Sequence, residues 1–333
     1  MNRNAKSLTL NLRVAAGRQL FHRLVHVSDV VYANSRGDLP AKLGLDYASL
    51  RSVNPRIVCC TLSGFGKTGP RAAEPGYDFL VQALAGFMSL TGEPGSPPTR
   101  CGVSIADFSG GLMSAVAVLS GVLQAREKGV GCDLDVSLLD TSLSMLNYLA
   151  AWNLNYSHPL ERQPNSAHQT LVPSQNFRTM DGYLVIMCMK EKFWRLLAEL
   201  IGQKQLLADP RFRTFADRLA HRAELVASLE AVLCRQTTAH WLSLMQGQVP
   251  CAPVYSVEEA LADAHVEARK MVVEVEHPKL GRLREVGCPI KVDDTPPTYR
   301  AASALGADTE SLLHSLVEAT AEEIEAWRSA GAI

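Results

Sequence analysis

The chain has 333 residues, with 33 Lys+Arg against 34 Asp+Glu and a formal net charge of −1. Its 47% hydrophobic content supports a substantial core, as two domains or one large domain with an insert, and its 20% charged content excludes a disordered chain. Near-neutral charge gives no global pull toward nucleic acid or an acidic membrane, so any polyanionic ligand must be held by a local basic cluster.

In chain order, MNRNAKSLTLNLRV has no apolar core followed by a small-residue cleavage site and reads as no signal peptide. Ser7–Leu12 reads as a short strand. Ala15–Val27 has helical spacing, with Leu20, Leu24 and Val27 on one face. Asp29–Tyr32 is strand-like, Tyr47–Val53 a short helix or turn closed by Asn54-Pro55, and Ile57–Leu62 a buried strand, β-branched and uncharged. A Gly-rich loop, Ser63-Gly-Phe-Gly-Lys-Thr-Gly-Pro70, follows. Strand, helix, strand, helix in this order predicts a parallel sheet with helices on its faces.

The middle reads as helical. Asp78–Thr91 is amphipathic and ends in the turn Gly92–Pro98; Phe108–Glu127 and Val136–Tyr156 are long apolar helices. The longest nearly uncharged apolar stretch in the first half, Gly111–Ala125, is interrupted by Ser114 and Ser120 and is shorter than the ~20 residues of a spanning helix, so no membrane insertion is expected. Glu161–Ser174 is polar, with two prolines and one histidine, and reads as a linker or lid. Phe177–Thr179 and Tyr183–Met187, joined through Asp181-Gly182, predict a hairpin. Helices follow at Lys192–Ile201, His221–Cys234 and Thr238–Gln246, strands at Pro250–Tyr255, Val272–Val275 and Glu285–Val292, and a helix at Thr320–Gly331. The domain division is 1–160 plus 281–333 for a large domain, 161–174 for a linker and 175–275 for a smaller α+β domain.

Asp107, in Val103-Ser-Ile-Ala-Asp-Phe-Ser-Gly-Gly111, leads the residues that could carry chemistry. Directly before a long apolar helix it reads as an N-cap. The same position favours an ionised carboxylate, which is a usable nucleophile toward an activated acyl group. Gly110 and Gly111 remove Cβ atoms from the first turn, so a substrate could approach and backbone N–H groups could stabilise an oxyanion. Tyr77 and Asp78, in Pro75-Gly-Tyr-Asp78, read either as core packing and a cap or as a hydroxyl near a reacting carbonyl. The loop at 63–70 follows a strand, as phosphate-cradling loops do, but matches neither G-x-G-x-x-G nor G-x-x-x-x-G-K-[ST]. Arg3, Lys6, Arg13, Lys42, Lys67 and Arg71 are scattered surface charge or a set that suits an anionic ligand with several phosphates. No C-x-x-C, H-E-x-x-H or G-x-S-x-G occurs, so neither a metal site nor a hydrolase elbow is expected. The eight cysteines, mostly inside apolar runs, read as reduced buried thiols of a cytosol-like compartment.

Taken as an ordered set, these segments resemble the class III CoA-transferase family (CaiB/BaiF type), whose relatives include formyl-CoA and carnitine CoA-transferases and alpha-methylacyl-CoA racemase. The matching pieces run along nearly the whole chain. They include Asn2-Arg-Asn-Ala-Lys-Ser7, Leu43-Gly-Leu-Asp-Tyr47, Asn54-Pro-Arg56, Ser63-Gly-Phe-Gly66, Pro75-Gly-Tyr-Asp78, Leu90-Thr-Gly-Glu93, Ile105-Ala-Asp107, Asp135-Val-Ser-Leu-Leu139, Asp209-Pro-Arg-Phe212 and Glu276-His-Pro278. The resemblance implies an α/β fold, with a Rossmann-like parallel-sheet large domain, a smaller α+β domain and an interlocked homodimer. It places the family's catalytic aspartate at Asp107 and implies transfer of CoA from an acyl-CoA to a carboxylic acid, dicarboxylates among the candidates, through an aspartyl–acyl anhydride and an aspartyl-CoA thioester. Leu10, Arg13, Asn34, Ser35, Arg36, Lys42, Glu74, Pro75, Gly76 and Tyr77 fall on positions that line the CoA site. Coenzyme A thioester is then a substrate, with no permanently bound cofactor, no metal and no nucleic-acid or membrane partner. Tyr77 stands where the family's racemases carry a catalytic histidine, and tyrosine is a poor base near neutral pH, which favours transferase over racemase. Two departures accompany the match. Relatives begin with a further βα section, absent here, which leaves an N-terminally incomplete large domain with an exposed sheet edge or an uncovered core. Some also carry a mobile Gly-rich loop where this chain reads Val185-Ile-Met-Cys-Met-Lys-Glu-Lys192. Three readings stay open: the transferase, a 2-methylacyl-CoA racemase on the same scaffold, and a truncated inactive homologue that binds CoA or only dimerises. The expected location is the cytoplasm, or the mitochondrial matrix if a targeting segment precedes the chain.

Overall fold

Eight strands run through the computed structural model, which describes residues 2–293 and 297–333: β1 (Val30–Asn34), β2 (Val58–Ser63), β3 (Cys132–Ser137), β4 (Ser174–Arg178), β5 (Tyr183–Met187), β6 (Cys251–Pro253), β7 (Val272–His277) and β8 (Gly281–Val286). The chain divides into two compact units. One comprises Met1–Ala85, Gly102–Ala150 and Asp263–Ile333, the other Gly86–Cys101 and Ala151–Ala262. The sequence reading groups 86–101 with the large domain and Val272–Val275 with the small one; the compact units group them the other way. Arg162 of the second unit donates to the Met88 carbonyl at 2.7 Å, and β7 pairs along its length with β8.

The first unit carries a parallel sheet in the order β1-β2-β3. Every residue of β2, Val-Cys-Cys-Thr-Leu-Ser, is buried, as expected for the central strand of a parallel sheet covered on both faces. Side chains alternate across the strand. Cys60 and Leu62 join Val81, Ala106, Val136 and Leu138 in one cluster, whereas Cys59 joins Val25, Leu50 and Ile57 in another.

The helix Ile105–Lys128 covers β2 and β3 at close range because two glycines face the sheet. A Cβ on Gly110 would lie 2.5 Å from Leu138 Cδ2, and one on Gly121 would lie 2.9 Å from Val58 Cγ1. This helix is longer than the apolar stretch read from the sequence, and by length and composition alone it is sufficient to cross a membrane. Ser114 and Ser120 do not interrupt it, since their hydroxyls donate to the Gly110 and Val116 carbonyls, each at 2.9 Å.

Ser7–Leu12 is not a strand. Its polar groups are taken by the C-terminal region instead: Ser7 N donates to Asp308 Oδ2 at 2.8 Å, Thr9 N to Thr309 Oγ1 at 3.1 Å and Asn11 N to the Ala332 carbonyl at 2.8 Å. Leu8 and Leu10 pack there with Leu20, Leu313 and Ile324. The helix expected over Asp78–Thr91 is two, Asp78–Leu84 and Phe87–Leu90, broken at Gly86 with φ 84°. The one expected over Val136–Tyr156 begins only after β3 and breaks at Asn147, φ 47°. The C-terminal strand lies earlier than predicted, at β8, where it pairs with β7.

In the second unit β4, β5 and β6 form an antiparallel sheet, with the expected hairpin closed by a Thr179 N to Gly182 carbonyl bond of 2.9 Å. Helices Glu191–Leu200, Arg222–Leu233 and Thr238–Met245 bury Phe177, Leu184, Ile186, Trp194, Leu197, Leu229 and Trp241 against it. The eight cysteines are free, but only Cys59, Cys60 and Cys188 are buried, and Cys234 is exposed. Desolvation pushes the Cys59 and Cys188 thiols up to about 12. The parallel-sheet unit and the α+β unit together give the α/β class read from the sequence.

Candidate active site

The carboxyl end of an open parallel sheet is where the chain leaves successive strands in diverging loops, and a crevice forms there. In this chain β1 runs out into Asn34-Ser-Arg36, β2 into the loop at 63–70, and β3 into Leu138. The loop after β2 is fixed by its own polar groups. Gly66 N donates to Ser63 Oγ at 2.9 Å, Lys67 N to Asp135 Oδ2 at 2.9 Å, and Leu139 N to the Gly64 carbonyl at 3.1 Å. The segment at 75–77 crosses directly over it at Gly76.

Asp107 is the third residue of the long helix, not its N-cap; Ser104 holds the cap position and its side chain makes no capping bond. The cap comes from another element. Asp78, 5% exposed, accepts from Ala106 N at 2.8 Å and from Asp107 N at 3.3 Å through Oδ1, while Oδ2 accepts from Gln82 Nε2 at 2.6 Å. Among the described residues no hydrogen bond is made to the Asp107 carboxylate, which is exposed toward the crevice. Partial desolvation, and secondarily the negative charge of Asp78, push the Asp107 carboxyl above the ordinary Asp range.

The crevice holds about 450 Å³. It is lined by Asn34, Ser35 and Arg36 after β1, by Leu62, Ser63 and Gly64 at the end of β2, by Leu138 after β3, and by Pro75, Gly76, Tyr77 and Asp107. Tyr77 is 69% exposed. Seven of the eleven residues singled out from the sequence therefore meet in one place. Leu10, Arg13, Lys42 and Glu74 do not line it. Leu10 packs beside Leu20 and Leu313. Arg13 is exposed near the start of the first helix, and Glu74 is exposed in the loop before Pro75. Lys42 lies one ion pair away: Lys42 Nζ is 2.6 Å from Asp38 Oδ2, and Asp38 also takes Arg36 Nε at 3.1 Å. The Lys42 hydrogen bond, together with the Arg36 and Lys42 charges, holds the Asp38 carboxyl below the ordinary range.

The scattered cations do not converge on the crevice. Lys67 pairs with Asp133 at 3.3 Å, Arg3 lies 3.8 Å from Glu285, and Arg71 stacks over Phe65. Arg36 is the cation in the lining. Leu138 escaped the sequence reading, and Asp78, read as a cap of its own helix, instead caps the helix that bears Asp107. The first is brought beside the end of β2 by the register Ser63↔Ser137; the second spans 29 residues of chain.

This is an ionisable carboxylate, unpartnered and more basic than usual, at the edge of a crevice with one cation and several backbone turns. Such a group can act as a nucleophile toward a bound acyl carbon or as a base toward a bound C–H. Residues 1–309 match the sequence profile of CoA-transferase family III. The chain is 35% identical over 327 residues to the succinate–glutarate CoA-transferase of Agrobacterium fabrum, spanning 96% of this chain and 81% of that protein. It is 35% identical over 295 residues to the acetyl-CoA:oxalate CoA-transferase of Acetobacter aceti, spanning 88% and 74%. Its fold superposes on the crystal structure of a CaiB/BaiF family protein from Brucella suis with a TM-score of 0.80 and 33% identity, over 95% of this chain and 82% of the other.

Proposed function

The chain belongs to CoA-transferase family III and is a CoA-transferase, and we propose that Asp107 carries the transfer, with a dicarboxylic acid as acceptor. The observation that supports this most is the free Asp107 carboxylate beside the crevice at the carboxyl end of the sheet.

The reaction proceeds by exchange at one side chain. An Asp107 oxygen attacks the thioester carbonyl, the C–S bond breaks, and CoA leaves as the thiolate, giving a mixed anhydride. The thiolate then attacks Cγ of Asp107 and expels the donor acid as its carboxylate, leaving an aspartyl-CoA thioester. The acceptor carboxylate attacks that Cγ and CoA leaves again, forming a second anhydride. The thiolate finally attacks the acceptor's acyl carbon and frees Asp107. Every intermediate stays activated, so little free energy is lost at each exchange. Water must be kept out, because it would hydrolyse the anhydride.

Asn34, Ser35, Arg36, Pro75, Gly76 and Tyr77 are the CoA-facing residues in this reading, with Arg36 facing the anionic part of the ligand and Lys42 supporting it through Asp38. Leu10, Arg13 and Glu74 are the remaining CoA-site positions that the family resemblance implies, and they lie outside the crevice lining. The dicarboxylate class rests on the succinate, glutarate and oxalate in the relatives' names. A homodimer is part of the reading, supported by the row of exposed Phe108, Leu112, Val116, Leu119 and Leu123 on one face of the long helix. The free cysteines support a reducing compartment, the cytoplasm or the mitochondrial matrix.

The test is to incubate the full chain with succinyl-CoA and, separately, glutarate, oxalate or acetate, and to identify new CoA thioesters by mass spectrometry. Glutaryl-CoA or oxalyl-CoA, abolished in Asp107→Asn, supports the reading. Transfer that survives Asp107→Asn, or transfer to acetate alone, contradicts it.

A further inference from the structure

We propose that Asp78 is a positioning residue: clamped by Gln82, its carboxylate takes the first-turn N–H groups of the helix that bears Asp107, and so leaves the Asp107 carboxylate free to attack. The inference rests on the reading of Asp107 as the nucleophile.

A helix start leaves four backbone donors without partners, and a Ser at the cap position or an Asp in the first turn ordinarily serves them. Both residue types are present here, as Ser104 and Asp107, and neither does so. Ser104 has ψ 71°, outside the extended conformation of a normal cap. Ile105 N donates to the Val103 carbonyl at 2.9 Å. Ala106 N and Asp107 N, which remain, both point at Asp78 Oδ1, at 2.8 and 3.3 Å. Asp78 itself has little freedom, being almost fully buried with its other oxygen on Gln82 Nε2, and Gln82 is fully buried.

Two consequences follow for the nucleophile. Its backbone is held through its own N–H, and its side chain is not consumed by the helix end. A second carboxylate beside it also makes it harder to ionise and, once ionised, more basic. Arg36 after β1 and Tyr77 before the Asp78 helix line the same crevice, and Asp78 is the neighbouring charge that acts on the Asp107 carboxyl.

The experiment uses the full chain with 13C-labelled aspartate carboxyls, the Asp107 resonance being assigned by its loss in Asp107→Asn. Asp78→Asn keeps an acceptor oxygen for the helix and removes the charge; Asp78→Ala removes both. In Asp78→Asn the Asp107 carboxyl is expected to titrate at lower pH, while Ala106 and Asp107 amides stay protected from hydrogen exchange. In Asp78→Ala those amides are expected to exchange about fivefold faster or more, the scale of a lost cap. An Asp107 titration unchanged in Asp78→Asn overturns the proposal, as does equal amide protection in Asp78→Ala. If the Ala variant does not fold, the Asn titration decides alone. No acyl-CoA enters this experiment, so its failure is distinct from a failure of Asp107 to transfer acyl groups.

Discussion

The backbones of Gly64 and Gly76 are in contact: a Cβ built on Gly64 would collide with Gly76 Cα and lie 3.0 Å from its nitrogen, and one on Gly76 would collide with Gly64 in return. Two loops that line the crevice therefore meet where neither can carry a side chain. Gly64→Ala is expected to destabilise the chain by about 3 kcal/mol, since backbone cannot yield as a flexible side chain would. Gly111→Ala is the contrast. Nothing lies within 4 Å of its Cβ, and replacing glycine inside a helix is expected to stabilise by about 0.8 kcal/mol. Urea denaturation of both variants checks the pair of signs.

Asp107 is expected to cost stability in proportion to its ionisation. Its folded-state carboxyl titrates above the ordinary Asp value of 3.8, with desolvation the leading cause and Asp78 the second. Between the unfolded and the folded value the folded chain binds more protons. Stability therefore falls as pH rises through that window, and the full cost is present above it. Asp107→Asn should melt higher than the wild type at pH 7, and the difference should vanish below the unfolded value. Thermal melts from pH 3 to pH 8 read this directly. A variant that melts lower at pH 7 contradicts the account.

Arg218 in the second unit is fully buried. Its Nε donates to the Val172 carbonyl at 2.9 Å, one terminal nitrogen to the Phe212 carbonyl at 3.0 Å, and the other lies 2.8 Å from Glu191 Oε1. Trp194 and Phe215 flank the guanidinium. Arg218→Met fills the volume and removes the donor from these acceptors and from the Arg213 carbonyl, 3.5 Å away. The expected cost is about 3 kcal/mol, the low end for a broken buried pair because Glu191 can turn toward water. Chemical denaturation followed by tryptophan fluorescence measures it.

The apolar row on the long helix predicts an assembly. Leu119 and Leu123, 65% and 67% exposed, lie one turn apart on that face. If a second copy covers them, Leu119→Lys with Leu123→Lys converts a dimer to a monomer with unchanged circular dichroism. Sedimentation equilibrium distinguishes the two masses, and a wild-type monomer at micromolar concentration contradicts the homodimer.

Much of this was legible in the residues. The uncharged run Ile57–Leu62 marks a strand buried on both faces, and the Asp181-Gly182 turn marks the β4–β5 hairpin, because burial and turn chemistry are local. Asp107 and Tyr77 were legible from their places at helix starts, and Asn34, Ser35, Arg36, Pro75 and Gly76 through the family resemblance; the parallel sheet gathers all seven at one edge. What escaped was non-local. Ser7–Leu12 alternates like a strand, yet its partners are Asp308, Thr309 and Ala332, some 300 residues away by chain order. Asp107 reads as a cap by position, and only the fold brings Asp78 to do that work. Lys67 and Lys42 read as scattered surface charge or as part of an anion-binding set; Asp133 and Asp38 pair with them.

The central claim is that Asp107 carries acyl and CoA groups covalently. The most direct measurement incubates the full chain with succinyl-CoA and hydroxylamine, digests it, and examines the Asp107 peptide by mass spectrometry. An activated Asp107, as anhydride or thioester, is cleaved by hydroxylamine to a hydroxamate. The account predicts that adduct at Asp107, dependent on succinyl-CoA and absent from Asp107→Asn. An unmodified Asp107 from a folded chain that transfers CoA would contradict it.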